Sequence, residues 1–175
     1  MPQTTEDGYL LRQANPDHIP LIIALILKTK SEMDHPDWFA VDEAYLQQTL
    51  YKKNAWIFEA TDRLQEITAA VVALYPVPLT DHLGQDAGLP ETEWDKVAYI
   101  DLAATRPEGR GHRLQFRLMR YAEQFLSKIG TAYLLCTVHP DNQPSRRSIE
   151  KAGFSCQTIV KKYGGLPRCI YMKKI

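Results

Sequence analysis

Residues 99–121, YIDLAATRPEGRGHRLQFRLMRY, constrain the fold more than any other stretch. An apolar segment with strand character (97–104) meets a short loop rich in proline, glycine and arginine (106–113), and the loop opens into an amphipathic helix. The helix carries Leu114, Leu118, Tyr121 or Ala122, Phe125 and Ile129 on one stripe. Arg117, Arg120, Glu123, Gln124 and Lys128 oppose them, and Gly130 stops the run. A strand entering a helix through a glycine- and arginine-bearing loop is a physical recipe for holding an anion. Orphan backbone N–H groups and the positive end of the helix dipole converge there.

Any such cationic site has to be local, because 21 Lys and Arg are cancelled by 21 Asp and Glu. That balance disfavours a general nucleic-acid binder, which shows a basic excess or stripe. At 175 residues and 45% hydrophobic content the chain suits one domain with a real core. The three cysteines, Cys136, Cys156 and Cys169, form no CxxC pair and keep no ligand spacing with the five histidines, so no metal site is expected. Cys136 lies in the apolar run YLLCTV and reads as a buried, reduced thiol. The first residues lack the pattern of a signal peptide. The longest apolar run, 19–27, includes Pro20 and falls well short of the ~20 residues that cross a bilayer. A soluble, cytoplasmic protein is expected.

In chain order, residues 8–12 form a short strand, and Asn15-Pro16-Asp17 starts a helix with Asn at the cap and Pro at the first position. Ile19, Ile22, Ile23, Ile26 and Leu27 make its apolar face. A polar segment holding Glu32, Asp34, Asp37, Trp38 and Phe39 precedes a second helix over 42–52. Residues 55–60 and 66–75 read as an antiparallel hairpin turning at Asp62-Arg63. Residues 76–95 contain three prolines, two glycines and five acids but no Lys or Arg, and read as an acidic surface insertion. After the central helix come a buried strand (133–138), a helix opened by HPDNQPS and closed at Ala152-Gly153, and two strands (155–162 and 168–173) around Tyr163-Gly164-Gly165. The order is β-α-α-β-β-β-α-β-α-β-β, a mixed α/β sheet in one domain over 1–175.

Two motifs make the chain resemble the GNAT superfamily of N-acetyltransferases. LAATRPEGRGHRLQ is similar to the family's apolar strand followed by Arg/Gln-x-x-Gly-x-Gly/Ala, and VHPDNQPSRRSIEKAGF is similar to its strand-Asn-helix ending in Lys-x-Gly-Phe. The resemblance implies a twisted, mostly antiparallel mixed sheet of about six to seven strands with about four helices. It also implies acetyl-CoA as acetyl donor. With Arg110 at the Arg/Gln position, Arg113 stands at the family's central glycine and Gln115 at its Gly/Ala. By the resemblance, the strand backbone at Ala103, Ala104 and Thr105 pairs with the pantetheine arm. Arg110, Gly111, His112, Arg113, Leu114 and Gln115 hold the pyrophosphate, and Asn142 with Ser145 contacts CoA. Asn142 suits a plain helix cap as well.

Acyl transfer to an amine needs a base to free the nucleophile and an acid for the departing thiolate. Strand alternation puts Tyr99, Asp101, Ala103 and Thr105 on one face. The family often places its base at the positions of Tyr99 and Asp101. Asp101, the sole carboxylate in the apolar stretch, is the best base candidate, and a structural aspartate is the alternative. Where the family commonly has an acidic tyrosine, this chain has Ile149. Either Tyr163 or Tyr99 serves instead, or the thiolate leaves unassisted. The family's acceptor pocket maps to Glu32, Asp34, Asp37, Trp38 and Phe39, where carboxylates and aromatics suit a cationic amine and also suit a solvated loop. The substrate expected is a small-molecule or peptide amine, with no nucleic acid and no membrane partner, and a homodimer is left open. The rival reading is a non-catalytic acyl-CoA-binding or regulatory module on the same fold.

Overall fold

The computed structural model describes residues 1–175. Eight strands and five α-helices follow one another as β1 (Gln3–Thr4), β2 (Leu10–Gln13), α1 (Ile19–Ser31), α2 (Glu43–Leu50), β3 (Ala55–Thr61), β4 (Ile67–Leu74), α3 (Leu83–Asp86), β5 (Val97–Thr105), α4 (Leu114–Lys128), β6 (Tyr133–Val138), α5 (Gln143–Lys151), β7 (Ser155–Lys162) and β8 (Leu166–Lys174). The strands hydrogen-bond in the order β1-β2-β3-β4-β5-β6-β8-β7. The sheet is mixed, with β5 parallel to β6 and antiparallel pairs elsewhere among the registers that follow. The class matches the expectation, and the strand count exceeds it. The extra strand is β1, two polar residues that only pairing to Leu10 and Leu11 makes a strand.

The chain divides into two compact units, Met1–Ala73 with Leu102–Ala122, and Leu74–Asp101 with Glu123–Ile175. In the first, β1 and β3 flank β2 in antiparallel register, with Arg12 opposite Glu59. The helix starts form as their sequences dictate. Asn15 Oδ1 accepts from Asp17 N–H ahead of α1, and Asp42 Oδ1 accepts from Tyr45 N–H at the start of α2. Ile22, Ile26, Leu46 and Leu50 from the two helices pack with Ile57, Ile67, Val72, Leu102 and Ala104 from the strands. This core fixes the second half of β5 from below. Glu59 is fully buried, and its carboxylate takes hydrogen bonds from Arg12 Nε (2.8 Å) and His18 Nδ1 (2.9 Å).

In the second unit β8 lies between β6 and β7, antiparallel to both. Val97 of β5, Leu135 of β6 and Ile170 of β8 form a core with Leu83 of α3. Residues 76–95 therefore do more than cover a surface: the segment contributes Leu83 to the core. Buried Tyr171 of β8 donates its hydroxyl to Glu150 (2.7 Å) and accepts from Arg146 Nε (3.0 Å), which fastens α5 to the sheet.

Candidate active site

Strand β5 alternates cleanly. Ile100, Leu102 and Ala104 are buried, while Tyr99, Asp101, Ala103 and Thr105 are half-buried on the other face. The four residues grouped by the sequence pattern thus share a face, and Ala104 can offer a ligand only its backbone. At the end of the strand Thr105 Oγ1 is buried with no hydrogen-bond partner, a polar atom whose desolvation is uncompensated until a ligand supplies one.

Beyond Thr105 the chain makes a 3-10 turn, Pro107–Gly109, and Arg106 N–H donates to Thr68 O (2.8 Å). Gly109 is buried. A Cβ there would stand 2.5 Å from Thr68 Cγ2 and 3.0 Å from both Leu114 Cδ1 and Thr105 Cγ2, so only glycine fits. Sequence reasoning passed over Gly109, although a glycine between a strand and a helix is a signal for such close packing.

Arg110 is extended (φ −67°, ψ 147°) and Gly111 turns left-handed (φ +85°). Arg113 is also left-handed (φ +56°) immediately before α4 begins at Leu114. The residue at the family's central glycine therefore takes the conformation that a glycine adopts freely, at a strain of about 1 kcal/mol. Its side chain and that of Arg110 are exposed. Leu114 is buried, so its amide alone can face a ligand, and Gln115 is half-buried.

His112 is held differently. Its Nδ1 lies 2.9 Å from Asp7 Oδ2, Arg117 Nη1 donates to Asp7 Oδ1 at 2.6 Å, and the Tyr9 ring sits 5.0 Å from the His112 ring. Hydrogen bonds from Thr5, Arg117 and His112 hold the Asp7 carboxyl well below the usual carboxylate range. Asp7 is 105 residues from His112, and nothing local in the sequence announces the pairing.

The second unit gathers the remaining candidates. Tyr99 Oη accepts from Leu83 N–H (2.8 Å), and burial pushes its phenol up to about 12. The His82 ring stacks on Trp94 (4.6 Å, 7°), and His82 Nδ1 accepts from Gly84 N–H to cap α3. Lys162 Nζ reaches Asp81 (3.1 Å) and Asp86 (2.7 Å). Residues 76–95 are thus secured to the side chains that flank Tyr99 and Tyr163.

Tyr163 occupies the β7–β8 turn with φ +52°. More than half of the residue is open to solvent, yet its hydroxyl lies 3.1 Å from Thr137 Oγ1, and the Arg168 guanidinium is 5.7 Å from its ring centre. Desolvation of that hydroxyl end raises the phenol pKa, and the Asp101 charge adds to the rise. Asn142 Oδ1 accepts from Ser145 N–H (3.2 Å), so Asn142 does cap α5, and Ser145 is half-buried beside it. Cys136 is buried, and desolvation raises its thiol to about 12, which leaves it inert. In the first unit Glu32, Asp34 and Asp37 are exposed, and His35 stacks on Trp38 at 4.3 Å.

The donor set fits a phosphate-bearing ligand. Two exposed guanidinium groups, the opening amides of α4, a left-handed backbone at Gly111 with open space where a Cβ would stand, and an orphaned hydroxyl at Thr105 lie along one continuous stretch.

The model of the acetyltransferase (GNAT) family matches residues 31–154, well over half of the chain. The chain belongs to the GNAT acetyltransferase family. It is an acyltransferase, and acetyl-CoA is its acyl donor. No curated protein matches the sequence. Solved structures share the fold at low identity. The ribosomal-protein-S18-alanine N-acetyltransferase from Escherichia coli is 17% identical with a TM-score of 0.68, over 95% of this chain and 94% of that one. The ribosomal-protein-S5-alanine acetyltransferase from Vibrio fischeri is 15% identical with a TM-score of 0.69, over 99% and 96%. A ribosomal L7/L12 α-N-protein acetyltransferase in complex with coenzyme A is 16% identical with a TM-score of 0.69, over 100% and 98%. No helix of this GNAT protein is long and apolar enough to cross a membrane.

Proposed function

We propose that this GNAT acetyltransferase moves an acetyl group from acetyl-CoA to a primary amine by direct attack in a ternary complex. One observation carries the reading. The open face of β5 presents Tyr99 and Asp101 and runs on through Ala103 and Thr105 into a loop whose Arg113 holds a glycine's conformation. Bound acetyl-CoA supplies the activated acyl group. The backbone of Ala103, Ala104 and Thr105 pairs with the pantetheine arm as an added strand would. Arg110 and Arg113 contact the pyrophosphate with their side chains, and Gly111, His112, Leu114 and Gln115 do so with their amides. Asn142 and Ser145 add a contact from the start of α5.

Asp101 takes the proton that the amine must shed, and Tyr163 returns one to the sulfur. Tyr99, with its hydroxyl accepting from Leu83 N–H, serves by shaping the face beside Asp101. The acceptor reading is a peptide or small-molecule amine, and the similarity to enzymes named for alanines of ribosomal proteins and for the α-N position of ribosomal L7/L12 supports a peptide α-amine. Glu32, Asp34 and Asp37 suit an acceptor that carries further positive charge.

Calorimetric titration with acetyl-CoA tests the cofactor site, and absence of saturable binding at millimolar ligand overturns it. Asp101→Asn tests the base. Turnover is expected to fall by about 10²-fold or more with the acetyl-CoA Kd unchanged. An unaltered pH–rate profile removes Asp101 from that role. A second reading draws on Ile149, which is buried where the family carries its tyrosine. A non-catalytic acyl-CoA-binding module would bind the cofactor without releasing thiol across a panel of peptide amines.

A further inference from the structure

The turn between β7 and β8 contains an expensive choice. Gly164 and Gly165 are left-handed at φ +80° and +108°, as glycines readily are, but the residue before them, Tyr163, is left-handed too. A bulky side chain there is an outlier, and such strain persists only where the surroundings over-determine it. Two contacts do so. Thr137 Oγ1 meets the hydroxyl at 3.1 Å, and Arg168, itself only 2% exposed, sets its guanidinium over the ring. A residue that is 56% exposed would otherwise be free to swing into water.

β5 and β6 run parallel with Val97 opposite Tyr133 and Tyr99 opposite Leu135, where their pairing ends two residues before Asp101 and before Thr137. The Tyr163 hydroxyl, 3.1 Å from Thr137 Oγ1, lies close enough to the candidate base to feel the Asp101 charge. Lys162, the neighbouring cation, is occupied by Asp81 and Asp86, and Tyr99 by the α3 backbone. Ile149 leaves α5 without a tyrosine to do the same work.

We propose that Thr137 and Arg168 are positioning residues that hold the Tyr163 phenol, by its hydroxyl and by its ring, as the proton donor to the CoA sulfur. This rests on the acetyl-CoA reading given above. Thr137 Oγ1–H donates to Tyr163 Oη, which leaves the phenolic proton free to point at the sulfur. As the amine nitrogen bonds to the acetyl carbon and the carbon–sulfur bond breaks, the bonding pair stays on sulfur and Tyr163 gives its proton there, yielding the free thiol. Asp101 receives the amine proton and releases it to solvent, and solvent reprotonates the open Tyr163. One proton leaves the amine and one reaches the sulfur, so the sum balances.

The test compares binding of CoA and desulfo-CoA, which differ only at the sulfur, by calorimetry at pH 7 to 9. A parallel titration follows the bound CoA thiol by its thiolate absorbance. Wild type is expected to favour CoA by about tenfold, the size of one hydrogen bond to an ionised sulfur, and to lower the bound thiol pKa below that of free CoA. Tyr163→Phe and Thr137→Val lose both effects, and Thr137→Ser restores them, which a merely structural threonine would not require. Arg168→Lys weakens the discrimination while leaving desulfo-CoA binding unchanged. If neither ligand binds wild type, the cofactor reading falls and this proposal with it. If both bind equally, or if the discrimination survives Tyr163→Phe, this proposal alone is overturned.

Discussion

Arg113 couples two properties that a single substitution can pull apart. Its left-handed backbone is strained, and its exposed guanidinium stands at the mouth of the loop. Arg113→Gly relieves the strain, so stability is expected to rise by about 1 kcal/mol, or roughly 2–4 °C in Tm for a chain of this size. The same change removes a cation from the proposed phosphate site and is expected to weaken CoA binding severalfold. Opposite signs in a thermal melt and a calorimetric titration are the signature. If CoA binds more tightly, the arginine obstructs the cradle instead of serving it. At this scale the sequence was informative wherever a residue acts on its immediate neighbours: Asn15, Asp42 and Asn142 cap their helices as their types suggest. It was silent on Asp7, whose partners His112 and Arg117 are more than a hundred residues distant.

Among elements, α3 depends on a titratable cap. His82 is buried, its Nδ1 accepts from Gly84 N–H, and burial lowers its pKa below 6.5. Protonation would place a hydrogen on Nδ1 facing that N–H donor, so the folded chain resists the charge that the unfolded chain accepts. The unfolded state then binds more protons, and stability declines as pH falls below about 6.5 toward the folded value. His82→Asn keeps an oxygen for the cap but cannot titrate. Its Tm is expected to lose that part of the acid slope, measured by melts from pH 7.5 to 5. An unchanged slope would place the titration elsewhere. Between β2 and β3, Glu59 lies opposite Arg12 and also holds His18. Glu59→Gln leaves Arg12 without its counter-charge and is expected to cost about 3 kcal/mol in denaturant unfolding, whereas an exposed ion pair such as Lys28–Glu32 would cost little.

For the molecule as a whole, the long apolar elements were legible because their periodicity is strong. β6 and β7 span the residues expected of them from the sequence, and β5, α4 and β8 differ by a residue or two at their ends. What escaped is non-local. β1 exists through its pairing, α3 through a histidine cap and a tyrosine hydroxyl sixteen residues on, and the order β8 before β7 through register across the sheet. The loop proposed for the cofactor stood out in the sequence by its glycines and arginines, but its left-handed arginine and the close packing at Gly109 are set by the three-dimensional fold. The hydroxyl pair of Thr137 and Tyr163 lay out of reach, since neither residue belongs to a motif.

The alternation of β5 also works as a ruler. Asp101 stands four residues from Thr105, where the loop begins, and each residue adds about 3.3 Å while reversing the face. Deleting one residue between them would turn Asp101 toward the core and put the buried Ile100 in its place. The separation between the proposed base and the proposed phosphate loop is therefore quantised in steps of two residues, about 6.6 Å each. A donor with a fixed arm length tolerates no such step. Length variation in relatives of this enzyme should collect in the turns and in the region of residues 76–95, and be absent from these five positions.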